Sequence, residues 1–220
     1  MLWPTLCVDD FFKNPQAVIN FSKTLDYIKL PGLYPGERTD LIHSIDQEFF
    51  NNVTTKIIAC LYPNEVYQEE LICNAKMYFQ RIKPQENIEP GFVHQDSTCE
   101  FTSIVYLSDE EDTGTAIYRN IKQPIPNWTI EAKKGYTNTK KQKTKAFKKA
   151  VEDNRKCFQQ TFEFTSIKNR MVLFDGSQYH GVNNFGKRKK DRLTLITFFH
   201  SISRANGEPL KYHVNECRKG

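Results

Sequence analysis

The feature that most constrains the fold is a series of short segments after residue 74, in which apolar and polar residues alternate or β-branched and aromatic residues are concentrated. Both patterns are typical of β-strands. Turn residues such as those of Asp175-Gly176 separate the segments. The series predicts a closed or two-sheet β-structure. The predicted strands lie within residues 75–83, 100–108, 114–121, 160–167, 169–176 and 191–202.

Two helices are predicted before these strands, which makes the expected fold mainly β with N-terminal helices. Asn14-Pro15 is typical of a helix start, and the apolar spacing after it predicts a helix over about residues 15–28. Asp40 is positioned to cap a second helix, whose apolar residues from Leu41 to Leu61 fall on one side. We expect both helices to cover a sheet. Among two-sheet folds we favour a double-stranded β-helix, or jelly-roll, core.

The length of 220 residues favours one domain over two independent units. Within it we expect a helical N-terminal support over residues 1–73, the jelly-roll core over 74–204 and a tail over 205–220. A basic insert at about residues 122–155 interrupts the strand series.

The formal net charge of +5 comes largely from this insert. Residues 133–149 contain eight lysines and no acidic residue, so the rest of the chain is slightly acidic. A long connection with few apolar residues is typical of a solvated loop or a functional lid without a core of its own. As a lid it would recruit an anionic partner, either an acidic protein surface or nucleic-acid phosphates. A protein partner is favoured, because only Tyr136 and Phe147 could stack on bases.

The compartment is predicted from what the sequence lacks. No stretch approaches the roughly 20 apolar residues of a membrane span, and residues 1–12 lack the features of an export signal. The six cysteines are scattered, with no spacing typical of a zinc site, and we expect reduced thiols. These observations predict a soluble, cytoplasmic protein.

A metal site is predicted from His94-Gln95-Asp96 and the later His180. In an extended chain, residues i and i+2 project to the same side, so His94 and Asp96 can point together into a barrel. His180 would complete a three-ligand face that leaves other coordination positions open. The alternative is that His94 and Asp96 form local hydrogen bonds in a loop and that His180 caps a turn. The remaining histidines are more typical of packed or surface positions.

Arg192 and Thr194 form a candidate anchor for an acid. Arg192 opens the apolar strand predicted over residues 191–202, and alternation places both side chains on one face. A guanidinium with an adjacent hydroxyl is suited to bind the distal carboxylate of a dicarboxylic acid through charge-assisted hydrogen bonds. The alternative is that Arg192 only ends the solvated basic cluster that starts at Lys187.

Four motifs, in order HQD, GTAIYR, NRMVLFDGSQYHG and DRLTLITFF, resemble the superfamily of 2-oxoglutarate- and Fe(II)-dependent dioxygenases, in particular its prolyl-hydroxylase-like branch. The resemblance covers about residues 75–200. It implies that His94, Asp96 and His180 bind Fe(II), that Arg192 binds the C5 carboxylate of 2-oxoglutarate, and that Thr194 assists. Many prolyl hydroxylases have lysine at the position of Arg192, so the resemblance does not identify the substrate.

The resemblance also implies a reaction. Dioxygen and 2-oxoglutarate would be consumed, succinate and CO2 released, and a protein, a peptide or an amino-acid side chain hydroxylated, with a small molecule as another possible substrate. Asp96 favours hydroxylation over halogenation, because related halogenases have a small residue there. Nucleic-acid demethylases carry a second arginine that RLTLITFF lacks, so a nucleic-acid substrate is disfavoured. Tyr78, Gln80 and Tyr106 are further candidates for contact with 2-oxoglutarate.

Two other readings remain open at the level of sequence. One is a jelly-roll binding module with a vestigial metal site, which would hold an anionic polymer through the basic loop. It predicts that a ligand or the anchor is missing, whereas all four positions are filled. The other is a cupin-type metalloenzyme that uses no oxo acid, which dependence of turnover on 2-oxoglutarate would distinguish.

Overall fold

The structure, a computed structural model, describes residues 3–29, 34–63, 71–84, 90–108, 113–125, 144–185 and 190–207. The tail beyond residue 207 and the lysine run up to residue 143 lie outside them. The strands within these ranges are β1 Leu6–Val8, β2 Glu37–Arg38, β3 Leu71–Ile82, β4 Phe101–Tyr106, β5 Thr115–Asn120, β6 Phe158–Phe164, β7 Met171–Asp175, β8 Tyr179–Gly181 and β9 Arg192–Arg204. The helices are α1 Pro15–Lys23, α2 Ile42–Ile45, α3 Gln47–Ala59 and α4 Lys145–Arg155.

The strands form two antiparallel sheets, as the sequence predicted. The larger sheet has the order β1-β7-β4-β9-β3-β2, and the smaller has the order β6-β5-β8. All six predicted strands are present. The prediction was wrong for the N-terminal region, which is not only helical: β1 and β2 join the larger sheet, and β3 already begins at Leu71. These short strands carry too few residues for alternation to show in the sequence.

Strict alternation along the larger sheet separates two environments. Met77, Phe79, Leu195 and Phe199 belong to the core that the N-terminal helices cover, together with Val53. The intervening residues point to the opposite side, where β4 and β7 pack against β5 of the smaller sheet. The larger sheet therefore has a helix-covered face and a face that is shared with the smaller sheet and a cavity.

The N-terminal helices differ from the predicted ones in their ends. α1 stops at Lys23 rather than near residue 28, and the carbonyl of Phe21 accepts hydrogen bonds from both the backbone N–H and the hydroxyl of Thr24. Asp40 does not cap a helix. Asp46 does, because its extended backbone separates α2 from α3 and its carboxylate accepts a hydrogen bond from the Phe49 N–H at 2.8 Å.

The described helices are too short or too polar to cross a bilayer.

The C-terminal half of the basic insert is a helix that packs on the main body of the protein, so this part is not a solvated loop. Thr144 caps α4, and Phe147 is buried in a cluster with Val151 and Ile82, in contact with the Phe92 ring at a centroid distance of 5.6 Å. Neutralising pairs such as Lys149–Asp153, at 2.9 Å, lie on its outer side. Its apolar positions at i and i+4 were hidden in the sequence by the surrounding lysines.

Phe147→Ala is expected to lower the free energy of unfolding by about 3 to 5 kcal/mol, because it leaves a cavity between α4 and Phe92. The matched control is Lys148→Ala, which removes an exposed neighbour from the same helix. Urea unfolding of the full chain measures both. Equal stability of the Phe147 and Lys148 variants would contradict the packing of α4.

Candidate metal centre

The segment that carries His94 and Asp96 is tied by its backbone to the start of β8. His94 and His180 exchange two backbone hydrogen bonds, of 2.9 and 2.8 Å, and the Asp96 N–H donates to the carbonyl of Gly176 at 2.8 Å. A Cβ at Gly176 would lie 2.2 Å from the carbonyl oxygen of Cys99, so only glycine permits this approach. His180 lies in β8, opposite His94, and does not cap a turn as the alternative reading had it.

These pairings bring the three predicted metal ligands together. One candidate ligand atom of each of His94, Asp96 and His180 lies within 4.8 Å of the other two. The Nε2 atoms of His94 and His180 lie 3.8 and 3.4 Å from the Asp96 carboxylate oxygens. His180 is buried, whereas His94 is exposed on the other side of the group. Local loop hydrogen bonds alone do not account for this convergence of side chains from two distant segments.

Backbone carbonyls orient both imidazole rings in the same way. Nδ1 of His180 lies 3.0 Å from the carbonyl oxygen of Gln178, and Nδ1 of His94 lies 3.3 Å from that of Phe92. A carbonyl oxygen only accepts, so each Nδ1 carries the proton and each Nε2 keeps a lone pair. Such contacts fix the tautomer of metal-binding histidines.

The Asp96 carboxylate is held in its charged form. Burial by itself would raise its pKa, but His180 and His94 in their protonated forms, the Thr102 hydroxyl and Arg38 outweigh burial and bring the pKa below its ordinary value. Once the imidazoles are neutral, the Thr102 hydroxyl and Arg38 still favour the anion. The Thr102 hydroxyl donates to Oδ2 at 2.7 Å. An anionic oxygen beside two imidazole lone pairs is a donor set suited to a divalent transition metal.

The three side chains form one wall of a cavity of about 850 Å³ between the sheets. Arg192 and Gln80 also line it, as do Arg38, Thr102 and Thr115. A pocket of this size is in the range that accommodates a drug-sized ligand.

Arg192 is buried in this cavity at the start of β9, as the alternation predicted. Its Nε and Nη2 atoms donate to the carbonyl oxygen of Thr113 at 3.2 and 3.1 Å, and its guanidinium lies over the Tyr106 ring. The guanidinium is therefore not part of a solvated cluster. Thr194 lies two residues further along the same face, fully buried, and its hydroxyl has no hydrogen-bond partner among the described residues. Thr194 is not among the residues that line the cavity.

The other predicted contacts divide into two groups. Gln80 lines the cavity and accepts hydrogen bonds from Arg38. Tyr106 is fully buried and donates to the hydroxyl of Thr115, a lining residue, at 2.7 Å. Tyr78 is half-buried beside Arg38 and does not line the cavity.

Sequence reasoning missed Arg38 and Thr115. Arg38 follows a turn-rich segment that is typical of an exposed loop, and its strand has only two residues. Thr115 begins a strand whose inward side could be identified only once its partner strands were known.

Several solved structures share this fold. HygX from Streptomyces hygroscopicus, solved with nickel, 2-oxoglutarate and hygromycin B bound, has a TM-score of 0.57 and 12% identity over 89% of this chain and 82% of HygX. The non-haem α-ketoglutarate-dependent epimerase SnoN, from nogalamycin biosynthesis, has a TM-score of 0.54 and 10% identity over 96% of this chain and 82% of SnoN.

A member of the 2OG-Fe(II) oxygenase family from Burkholderia pseudomallei has a TM-score of 0.50 and 14% identity over 93% of this chain and 86% of its own. At these identities the likeness establishes a shared fold. In sequence, residues 3–199 match a family of unknown function, DUF6445, and this protein belongs to that family. No protein of curated function matches the sequence.

Proposed function

We propose that this protein is a 2-oxoglutarate-dependent oxygenase that uses Fe(II) and dioxygen. The observation that carries the proposal is the convergence of His94, Asp96 and His180 on the wall of a cavity that also holds the buried guanidinium of Arg192. Two imidazoles with one carboxylate are the donor set of non-haem Fe(II) oxygenases. A binding module with a vestigial site would lack one of these groups.

The donor set fits the metal. Both histidines keep an Nε2 lone pair and Asp96 stays ionised, so all three residues are ready to bind a cation. Three protein ligands leave coordination positions for an oxo acid and dioxygen. Bound Fe(II) would activate dioxygen with electrons from the decarboxylation of 2-oxoglutarate to succinate and CO2. The protein holds the three donors on one side and surrounds the cavity with packed sheets.

Arg192 would bind the C5 carboxylate of 2-oxoglutarate. Arg192 is buried in surroundings with a lower dielectric constant than water, which strengthens a charge-assisted contact between its guanidinium and a carboxylate. Two further hydroxyls could assist: that of Thr194, which follows on the same strand face and lacks a partner among the described residues, and that of the cavity-lining Thr115, which accepts a hydrogen bond from Tyr106. Gln80 and Tyr78 are better placed to act through Arg38 than on the co-substrate.

The fold supports this assignment. We infer that the two sheets form a double-stranded β-helix, in which the bridge between His94 and His180 adds a fourth, minimal strand to the smaller sheet. We also infer a single domain, because β1 and β2 of the N-terminal part belong to the same sheet as β9. A cytoplasmic location remains part of the proposal.

The test is anaerobic titration of Fe(II) into the full chain with and without 2-oxoglutarate. A visible charge-transfer band is expected only when both are present, and succinate in place of 2-oxoglutarate serves as the control. Oxygen should then bleach the band. Failure of the wild-type chain to form the band or to consume 2-oxoglutarate would contradict the proposed function and favour a metalloenzyme that uses no oxo acid.

We further propose hydroxylation of an amino-acid side chain or a small molecule, in keeping with the prolyl-hydroxylase-like motifs. Because SnoN shares the fold and is an epimerase, the outcome must be read from the product. A mass gain of one oxygen atom identifies hydroxylation.

An anionic partner for the lysines of residues 133–149 is a separate proposal, and its test must retain residues 144–155, because α4 packs against the cavity wall.

A further inference from the structure

The cavity contains a second arginine, Arg38, for which the proposed chemistry has no use. It lies on β2, the edge strand of the larger sheet. The guanidinium carbon is 3.8 Å from the centroid of the Tyr34 ring and 5.4 Å from that of Phe198. Nε and Nη2 both donate to Oε1 of Gln80, at 3.1 and 3.0 Å. Packing and hydrogen bonds together hold the guanidinium in one position.

This cation has no acidic partner in the described part of the chain, where no carboxylate lies within 4.0 Å of its guanidinium nitrogens. Its acceptor is the neutral amide of Gln80, which in turn donates to the carbonyl of Pro35 at 2.7 Å. A partly buried cation whose described contacts are aromatic rings and a neutral amide loses part of its hydration, and an anion placed beside it would offset that cost.

The charge persists at neutral pH. Burial lowers the pKa of Arg38 to about 10, with Tyr34, Tyr78 and Asp96 acting in the opposite direction. The side chain is therefore protonated under physiological conditions. A guanidinium offers five N–H donors, and the two nitrogens that face Gln80 use only part of them.

The position of Arg38 separates it from the anchor for 2-oxoglutarate. Phe198, whose ring covers Arg38, lies six residues beyond Arg192 on β9, or roughly 20 Å of extended strand. Phe198 pairs with Thr102, and Thr102 contacts the candidate metal ligand Asp96. The backbone of Arg38 pairs with Gln80, which pairs with Thr194, so Arg38 starts near the anchor. Its guanidinium, beside the rings of Tyr78 and Phe198, extends from there toward the level of Thr102 and the metal centre.

The cavity has room for a second molecule. At about 850 Å³ it far exceeds what a five-carbon diacid fills, so a substrate can lie between the metal centre and Arg38 while the co-substrate contacts Arg192. The rings of Tyr34 and Phe198 lie 3.8 and 5.4 Å from the guanidinium carbon, and a planar guanidinium can hold a carboxylate or a phosphate through two parallel hydrogen bonds.

We infer that Arg38 binds an anionic group, a carboxylate or a phosphate, on the molecule that is oxidised. The inference rests on the proposed function and adds the chemistry of the substrate. Arg38 is a specificity-determining residue in this account, with Gln80 as its positioning residue. The substrate class is an organic acid, or a peptide with an acidic or phosphorylated residue, whose oxidised carbon lies close to its charge.

The inferred anion site at Arg38 is tested by calorimetric titration of acids into the full chain, loaded anaerobically with Fe(II) and 2-oxoglutarate. Phenylacetate and phenylphosphate are the probes, and benzyl alcohol is the neutral control. Arg38→Gln is expected to weaken binding of the preferred acid by about tenfold or more. The matched control is Arg119→Gln, which removes an exposed arginine that also donates to a glutamine, Gln159, away from the cavity. Tighter binding of phenylacetate would indicate that the site prefers a carboxylate, and tighter binding of phenylphosphate that it prefers a phosphate.

The concentration of 2-oxoglutarate required for half-maximal turnover distinguishes an arginine that binds the substrate from one that binds the co-substrate. In the Arg38→Gln variant it should rise far less than in the Arg192→Ala variant, and the melting temperature, compared with that of the Arg119→Gln variant, shows whether the chain is still folded. A rise in that requirement comparable to the effect of losing Arg192, or failure of both acids to bind the wild type, would overturn the inference. If the wild type binds an acid through Arg38 but shows no charge-transfer band with Fe(II) and 2-oxoglutarate, the proposed function is wrong and the anion site at Arg38 is still supported.

Discussion

His180→Ala is expected to abolish iron retention and to reduce 2-oxoglutarate turnover by more than about 100-fold, since loss of residues that merely orient metal ligands already costs about 10- to 100-fold. His180 is the buried ligand, and its removal leaves only His94 and Asp96, which water can displace from the metal. Asp96→Ala should have a comparable effect, because it removes the negative charge between the two imidazoles. Iron content after gel filtration and succinate release measure the two effects.

The control for this prediction is His43→Ala. His43 lies on α2, where it contacts the ring of Phe50 and does not line the cavity. Its loss should leave iron content unchanged. Wild-type iron stoichiometry and succinate release in the His180 variant would show that the metal, if any, lies elsewhere. Circular dichroism of each variant excludes the explanation that the chain has unfolded.

The faces of the long strands could be predicted from the sequence, because alternation is a local property. Arg192 and Thr194 were placed on one face by spacing alone, and the structure buries both on the face opposite the helices. The same rule placed His94 and Asp96 on one side of the chain. What spacing cannot give is the pairing partner of each strand, and the bridge between His94 and His180 depends on that pairing.

The short elements could not be predicted, for the opposite reason. β2 has two residues, and it is a strand only because β3 offers Arg81 and Gln80 as pairing partners. Arg38 therefore appeared to belong to an exposed turn. In α4 the long lysine side chains concealed two buried apolar positions, since a charged surface and a buried stripe coexist on one helix. Arg38 lines the cavity and α4 packs behind its lining residues Ile82 and Phe92, so the sequence was least informative around the place where the substrate would bind.

Arg192→Ala is expected to raise the concentration of 2-oxoglutarate required for half-maximal turnover by about 30-fold or more, with little change in iron affinity. The buried guanidinium is the only charge in the predicted anchor, and truncating one partner of a buried charge pair costs about 2 to 5 kcal/mol. Arg192→Lys should recover only part of the loss, because lysine keeps the charge but not the planar fork. Titrating 2-oxoglutarate against the charge-transfer band measures the effect without turnover.

Lys190→Ala is the matched control for this prediction, because it removes an exposed charge two residues earlier. If Arg192 is the anchor, the Lys190 variant should titrate like the wild type. If the concentration of 2-oxoglutarate required for half-maximal turnover is unchanged in the Arg192 variant and rises strongly in the Lys190 variant, the anchor is Lys190 and not Arg192. Arg192 also donates to the carbonyl of Thr113, so its loss should lower the melting temperature as well. Only a loss of 2-oxoglutarate binding that persists well below that temperature, in a folded protein that still retains iron, assigns Arg192 to the co-substrate.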